Sequence, residues 1–301
     1  MRMAMVGLGR MGGNMALRLM RGGHEIVAFN RTEEKTRELQ AQGAVAALSL
    51  EEVVANLQPP RVVWVMVPAG EPTEQTVQSL AGLLDPGDVV VDGGNSNYRD
   101  SVRRAGELAA RGVLFLDSGT SGGIWGLDNG YCLMVGGPRE AYDLIVPALQ
   151  TLGAEGGYAH VGPSGAGHFV KMVHNGIEYG MLQAFGEGFE LLAAADEFSL
   201  DLHQISELWR HGSVVRSWLL DLLETAFAQE PDLASLDGYV EDSGEGRWTV
   251  LDAVERGVPM TAISHALFAR FTSRTDNAFG MKVIAALRQA FGGHAVRRGD
   301  L

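Results

Sequence analysis

The chain has 301 residues, 46% of them hydrophobic and 20% charged, enough apolar material for two moderate cores, so two domains are expected. A formal net charge of −13 sets it against nucleic acid and anionic membrane surfaces, which would repel it at long range. Any anionic ligand must therefore be met by local cations. The single cysteine, Cys132, excludes an intramolecular disulfide; within Tyr131-Cys132-Leu133-Met134-Val135 it reads as a small buried core thiol. The opening apolar run ends at Gly7, shorter than a secretory signal, and no later stretch approaches the ~20 apolar residues of a membrane span, so a cytoplasmic location is expected.

Up to about residue 162, short β-branched runs alternate with helical segments: Met3 to Val6, Glu25 to Phe29, Val62 to Val67, Val89 to Asp92 and Val113 to Asp117. That rhythm predicts a parallel sheet with crossover helices, with two further strands at 131–135 and 156–161. Ser49-Leu50-Glu51-Glu52 reads as a capping box opening a helix. After Gly162-Pro163-Ser164-Gly165 the strand rhythm stops. Helices are predicted over 166–195, 201–211, 214–228, 249–257, 259–273 and 278–291. The expected fold is thus an α/β Rossmann-type parallel sheet over residues 1–163, followed by an all-α domain over 164–301.

Directly after the first predicted strand stands Gly7-Leu8-Gly9-Arg10-Met11-Gly12, a G-x-G-x-x-G pattern before the helical stretch Asn14 to Met20. Gly7 suits a tight turn, Gly9 a close approach of a pyrophosphate to backbone N–H groups, and Gly12 close helix packing. An NAD site usually ends its second strand in a carboxylate, which would repel a 2′-phosphate. Here that strand ends Phe29-Asn30-Arg31-Thr32: a neutral amide, a guanidinium and a hydroxyl, which predicts NADP. Arg31 also reads as a solvated turn residue, so the missing carboxylate is the firmer half of that argument.

In the long predicted helix, Lys171, His174, Asn175 and Glu178 stand at i, i+3, i+4 and i+7 and share one face, while Met172, Val173 and Ile177 fall mainly elsewhere. A merely solvated face favours repeated long charged residues; His, Asn and nearby glycines are poor helix formers with no solubility role. A lysine beside an alcohol can serve as a general base, and a protonated carboxylic acid can return a proton later. Ser118-Gly119-Thr120-Ser121-Gly122-Gly123 forms a second polar patch whose hydroxyls and open N–H groups suit a carboxylate. The histidines are scattered and show no metal-binding spacing, so no metal is expected.

Together, residues 7–12, Asn-Arg-Thr at 30–32, Asp-Gly-Gly-Asn-Ser at 92–96, Ser-Gly-Gly at 121–123 and Gly-His-Phe-Val-Lys-Met-Val-His-Asn-Gly-Ile-Glu-Tyr-Gly at 167–180 resemble the decarboxylating 6-phosphogluconate dehydrogenases, within the β-hydroxyacid dehydrogenase superfamily. The resemblance implies oxidation of 6-phosphogluconate at C3 with hydride transfer to NADP, loss of CO₂ and formation of ribulose 5-phosphate, a step of the pentose phosphate pathway. It implies Lys171 as base, Glu178 as the proton donor to the enediol and Asn175 as the residue orienting the reacting oxygens, with Ser121, Gly122, Gly123 and His174 on the carboxylate. It places Asn95 between cofactor and substrate, and Val67, Pro68 and Ala69 beside the nicotinamide ribose. For the phosphate it implies Tyr179 and Arg270, with Arg288 and His294 reaching a neighbouring subunit of a homodimer or homotetramer. Read alone, Arg270 and Arg288 are also ordinary helix-surface arginines. A phosphate-contacting lysine of longer members falls at Ser243, where Arg247 is close enough in sequence to compensate. Three other readings stand beside this one: an NAD-preferring 6-phosphogluconate dehydrogenase, a non-decarboxylating β-hydroxyacid dehydrogenase, which would not need Glu178, and a non-catalytic NADP-binding protein, which would not need the helix stripe.

Overall fold

In a computed structural model the chain forms two compact units, Met1–Asn175 and Gly176–Leu301. The structure describes residues 1–276, 278–292, 295 and 297. The first unit runs β1 (Arg2–Val6), α1 (Arg10–Arg21), β2 (Glu25–Phe29), α2 (Glu33–Gln40), β3 (Val45–Ala46), α3 (Leu50–Ala55), β4 (Val62–Val65), α4 (Glu71–Ala81), β5 (Val89–Asp92), α5 (Tyr98–Ala109), β6 (Leu114–Ser121), α6 (Gly126–Asn129), β7 (Tyr131–Gly136), α7 (Arg139–Leu152) and β8 (Gly153–Gly162). The next helix, α8 (Ala166–Ala193), has its beginning in the first unit and its remainder in the second.

The eight strands lie in the order β3-β2-β1-β4-β5-β6-β7-β8. Strands β1 to β6 are parallel, β7 is antiparallel to β6, and β8 runs parallel to β7. Strand alternation builds a core on each face. Met3, Met5, Ile26, Trp64 and Val91 pack with Met15 and Leu19 of α1 and Ile145 and Leu149 of α7. Ala4, Val6, Val27, Val63 and Val90 pack on the other face with Val53 of α3, Val77 and Leu80 of α4 and Leu108 of α5. Because both faces are covered, these strands read as near-continuous apolar runs, which is what made them visible in the sequence. The chain order reverses between β1 and β4, and there the crevice at the strand ends is the ligand-binding position of an open α/β sheet.

Several elements differ from the sequence-based expectation. Helix α1 begins at Arg10, inside the glycine motif, with Gly9 as its N-cap. Strand β6 continues past Asp117 to Ser121, so Ser118, Gly119 and Thr120 are buried strand residues and not an open patch of N–H groups. Pairing of 117–121 with β7 overrides the low strand propensity of those residues. Cys132 is exposed, correcting its reading as a core thiol: it pairs with Ser121 near the start of β7, where strand alternation buries Tyr131 and Leu133 and turns position 132 outward. The capping box at Ser49 forms, with the Ser49 hydroxyl accepting from the Glu52 N–H at 3.2 Å; the Glu52 carboxylate reaches back to the Leu48 N–H at 2.8 Å.

In the second unit α8 is followed by α9 (Leu202–Arg210), α10 (Trp218–Gln229), α11 (Glu245–Arg256), α12 (Thr261–Thr272) and α13 (Phe279–Gly292). Helix α10 starts at Trp218 and not near 214, because the Ser217 hydroxyl caps the Leu220 N–H at 3.2 Å. Helix α11 starts at Glu245 rather than 249, after Gly244 in a left-handed conformation at φ +99°. Among the described residues, two small cores hold this unit. One contains Tyr179, Ala266 and Leu267, the other Phe189, Leu220 and Phe227. No helix among the described residues is long and apolar enough to cross a membrane.

Candidate active site

The glycine loop is built by contacts that leave no room for side chains. Gly7 has φ +95°, and a Cβ there would lie 2.5 Å from the Met66 carbonyl oxygen. A Cβ on Gly12 would fall 2.0 Å from the Gly7 oxygen, so α1 rises directly off the turn. Gly9 is different: it is exposed, and a Cβ there would meet nothing within 4 Å. Open space at the N-cap of a helix is what an incoming pyrophosphate requires, so a dinucleotide fits this loop. Leu8 is buried, Met11 half-buried and Arg10 exposed.

Asn30 secures the loop. Its Oδ1 accepts the Leu8 N–H at 2.9 Å, its own N–H donates to Thr36 Oγ1 at 3.0 Å, and its Nδ2 donates to the Thr32 carbonyl at 3.1 Å. Arg31 and Thr32 are exposed at the start of α2. At the end of β4, Val67 is half-buried and Pro68 and Ala69 are exposed; the Pro68 carbonyl accepts from Thr73 Oγ1 at 2.8 Å.

Beyond β5 the chain turns through Asn95, held in a left-handed conformation at φ +51°. Asn95 Oδ1 accepts the Thr120 N–H at 3.2 Å, tying this turn to β6. The fully buried Asp92 organises the same turn by accepting from the Gly94 N–H at 3.0 Å, Ser96 Oγ at 2.8 Å and Arg104 Nη1 at 3.2 Å. Arg104 in turn donates to Glu74 at 2.9 Å, as does Arg103 at 2.6 Å. Hydrogen bonding from Arg103 first, and then from Arg104, holds the Glu74 carboxyl down at about 2.

Helix α8 inverts the usual pattern. Lys171 is buried, His174, Asn175 and Glu178 are half-buried, and Val170 and Ile177 are exposed at 38% and 53%. Its N-terminus is fixed by Asp117, fully buried at the end of the parallel part of β6, which accepts the Gly165 N–H at 2.6 Å and the His168 N–H at 2.8 Å. These N–H groups have no partner within the helix, and a carboxylate there also meets the positive end of the helix dipole. Gly119 brings α8 onto the strand: a Cβ there would lie 2.4 Å from the Lys171 Cβ and 2.8 Å from the Gly167 carbonyl oxygen. The His168 ring is buried, with Nδ1 2.7 Å from Ser101 Oγ.

Lys171 Nζ donates to Asn175 Oδ1 at 2.7 Å, and His174 Nδ1 lies 3.1 Å from the same oxygen. An ammonium only donates, so with Lys171 charged the shared atom is the amide oxygen and His174 carries its hydrogen on Nδ1. His174 Nε2 is then a hydrogen-bond acceptor in the neutral ring. Ser121 ends β6 half-buried, while Gly122 and Gly123 turn the chain at φ +127° and +52°.

In the second unit the buried Tyr179 is covered by the Arg270 guanidinium, whose Cζ lies 3.4 Å from the ring centroid. Its hydroxyl accepts the Ser243 N–H at 3.3 Å, and Gly246 presses on its ring, where a Cβ would approach to 2.4 Å. Glu178 precedes Tyr179 on α8. Arg288 is exposed on α13, and His294 lies outside the described residues. A cavity of about 990 Å³ lined by Leu182, Phe185, Phe189, Leu223 and Phe227 contains none of the expected site residues. Among the described residues no His, Cys, Asp or Glu side chains cluster as metal ligands.

Sequence reasoning passed over Asp117, Asp242 and Arg274, and read Gly119 only as part of an open polar patch. Asp117 had a usable signal, an acidic residue closing an apolar strand, but its partners lie far along the chain at 165 and 168.

Residues 2–162 match the family described as the NAD binding domain of 6-phosphogluconate dehydrogenase, and residues 167–282 match the 6-phosphogluconate dehydrogenase C-terminal domain. The chain belongs to the 6-phosphogluconate dehydrogenase family. It is 45% identical over 302 residues to the NAD(+)-dependent, decarboxylating 6-phosphogluconate dehydrogenase of Haloferax volcanii, covering 100% of both chains. To the NADP(+)-dependent, decarboxylating enzyme of Bacillus subtilis it is 38% identical over 283 residues, covering 89% of this chain and 60% of that one. The 6-phosphogluconate dehydrogenase structure from Plasmodium falciparum, described in apo form and with NADP+ or 6-phosphogluconate, aligns with TM-score 0.85 and 29% identity over 97% of this chain and 65% of that chain. Members of the family thus occur in a length like this one and in a longer form, and their names divide between the two cofactors.

Proposed function

We propose that the protein converts 6-phosphogluconate to ribulose 5-phosphate and CO₂ with NADP as oxidant, using Lys171 as the central catalytic group. The observation that carries this reading is the burial of Lys171 against Gly119 and its 2.7 Å hydrogen bond to Asn175, on a helix whose polar face is turned inward. In its amine form Lys171 takes the C3 hydroxyl proton while the C3–H bond breaks; the bound nicotinamide supplies the hydride acceptor. Lys171, now an ammonium, polarises the C3 carbonyl and returns its proton to the C3 oxygen as the C1–C2 bond breaks to release CO₂, the electron pair of that bond forming the C2–C3 double bond of the enediol. Asn175 orients Lys171 and the reacting oxygens. Glu178, as the carboxylic acid, protonates the carbon that becomes C1 of the product while Lys171 takes the proton of the enol oxygen that becomes the product's carbonyl. The carbonyl itself is the electron sink, so the sequence of steps calls for no metal.

Ser121, Gly122, Gly123 and Asn95 are assigned to the substrate near its carboxylate. With its hydrogen on Nδ1, His174 accepts a substrate hydroxyl through Nε2; as an imidazolium it donates to the carboxylate. Tyr179 and Arg270 take the phosphate. Gly7 to Gly12, Asn30 to Thr32 and Val67 to Ala69 take the cofactor. NADP is favoured because no carboxylate ends β2 and Arg31 is exposed there. The competing cofactor is NAD, which the name of the Haloferax relative favours. The same reading makes the protein a homo-oligomer with Arg288 and His294 serving a neighbouring copy; the exposed apolar residues Phe279 and Met281 of α13 suit a subunit contact. Sedimentation as a monomer would remove that part.

The test is a paired assay with 6-phosphogluconate and either NADP or NAD, following reduced cofactor and CO₂ together in the presence of a chelator. Equal yields of the two products with NADP are expected. Reduced cofactor without CO₂ would leave a simple β-hydroxyacid dehydrogenase, and equal efficiency with NAD would end the cofactor assignment.

A further inference from the structure

In a chain of net charge −13, the second unit gathers three guanidinium groups around two aromatic rings. Asp242, whose side chain is 2% exposed, accepts from Arg247 Nε at 2.8 Å and Nη2 at 3.0 Å, and from Arg274 Nη2 at 2.8 Å. Both guanidiniums lie against the Phe271 ring, their Cζ atoms 4.7 and 5.3 Å from its centroid. Arg274 Nε donates to the Arg270 carbonyl at 3.1 Å, and Arg270 covers Tyr179. The carboxylate of Glu245 is taken up by the Ser243 hydroxyl.

One aspartate satisfies one arginine; here it serves two. Arg247 and Arg274 on the single Asp242 carboxylate leave one positive charge unbalanced in that contact, while Arg270 gives its Nη1 to the Glu241 backbone carbonyl at 3.1 Å. Among the described residues, neither Arg247 nor Arg274 commits its Nη1 to a hydrogen bond. Ser243 itself offers no charge, and its N–H is given to Tyr179. A dianion beside Tyr179 and Arg270 would balance the excess and take up the spare donors, since guanidinium groups suit phosphoryl oxygens.

We infer that Arg274, held by Asp242 beside Arg247, binds the phosphoryl group and sets this protein's selectivity for a phosphorylated sugar acid. This rests on the reading that Tyr179 and Arg270 meet the phosphate end of the substrate. Asp242 acts as a positioning residue, fixing both guanidiniums on Phe271 so that little side-chain freedom is lost on binding.

The experiment is calorimetric titration of the full-length protein with 6-phosphogluconate and with gluconate, for the wild type, Arg274→Gln and Arg274→Lys, without turnover. Arg274→Gln is expected to weaken 6-phosphogluconate binding about tenfold or more while moving gluconate little, and Arg274→Lys, which keeps the charge but not the fork, to fall between. Should the Gln variant not fold, the Lys variant carries the same comparison. An unchanged preference for 6-phosphogluconate over gluconate, including an equal loss of both ligands, would overturn the proposal, as would a wild type that does not bind 6-phosphogluconate. A wild type that binds it but yields neither reduced cofactor nor CO₂ would end the proposed reaction alone, since Arg274 is judged on binding.

Discussion

Gly119 and Lys171 meet with no space for a side chain between them: a Cβ at 119 would stand 2.4 Å from the Lys171 Cβ, and the Gly167 backbone is 2.8 Å away. Since one neighbour is helix backbone, the strain cannot be relieved by a rotamer change. Gly119→Ala should therefore push α8 off β6, destabilising the fold by roughly 1–3 kcal/mol and lowering kcat more than a distant core mutation of equal cost. Urea unfolding alongside steady-state kinetics measures both, and an alanine variant with wild-type kcat would show that the position of α8 on β6 is not critical.

Asp117→Asn keeps the shape of the side chain but removes the charge that meets the N–H groups of Gly165 and His168. A cost of about 1–3 kcal/mol is expected from loss of charge-assisted hydrogen bonds at a helix N-terminus. Amide exchange should locate the loosening in the first turn of α8.

Lys171→Met should reduce kcat by about 10²–10⁴-fold or more, the usual range for a positioned acid–base group, with cofactor affinity nearly unchanged. Cofactor fluorescence titration separates the two effects. Loss of cofactor binding in step with turnover would make Lys171 a structural residue.

Arg31→Ala should lower kcat/KM for NADP about tenfold while leaving NAD nearly untouched, because only the 2′-phosphate needs the guanidinium. Equal losses with both cofactors would point to adenine stacking in place of phosphate recognition.

Acid stability is set in part by Glu74 and Asp242, both held down at about 2 by arginine hydrogen bonds, Arg103 acting first on Glu74 and Arg247 on Asp242. A depressed carboxyl stabilises the fold above its unfolded-state value and loses that contribution as pH falls toward the folded-state value. Stability should therefore decline from about pH 4.5 to pH 2, and Glu74→Gln should flatten that slope in denaturant midpoints measured across this range.

The strands buried on both faces, the glycine loop, the long helix and the face on which Lys171, His174, Asn175 and Glu178 lie are all written in the order of residues along the chain. Each is a local pattern: a continuous apolar run, a fixed glycine spacing, a helical period. The packing of the folded chain settles which way that helix face turns, since the exposed Ile177 and the buried Lys171 reverse what hydropathy alone suggests. It also decided that 118–121 is strand and that Cys132 faces outward, because pairing across β6 and β7 joins residues whose own propensities point elsewhere. Asp117 with Gly165, and Asp242 with Arg247 and Arg274, owe their roles to partners the folded chain brings together. Charge and hydrogen-bond complementarity between residues distant in sequence leave no periodic trace, so these contacts became visible only in the fold.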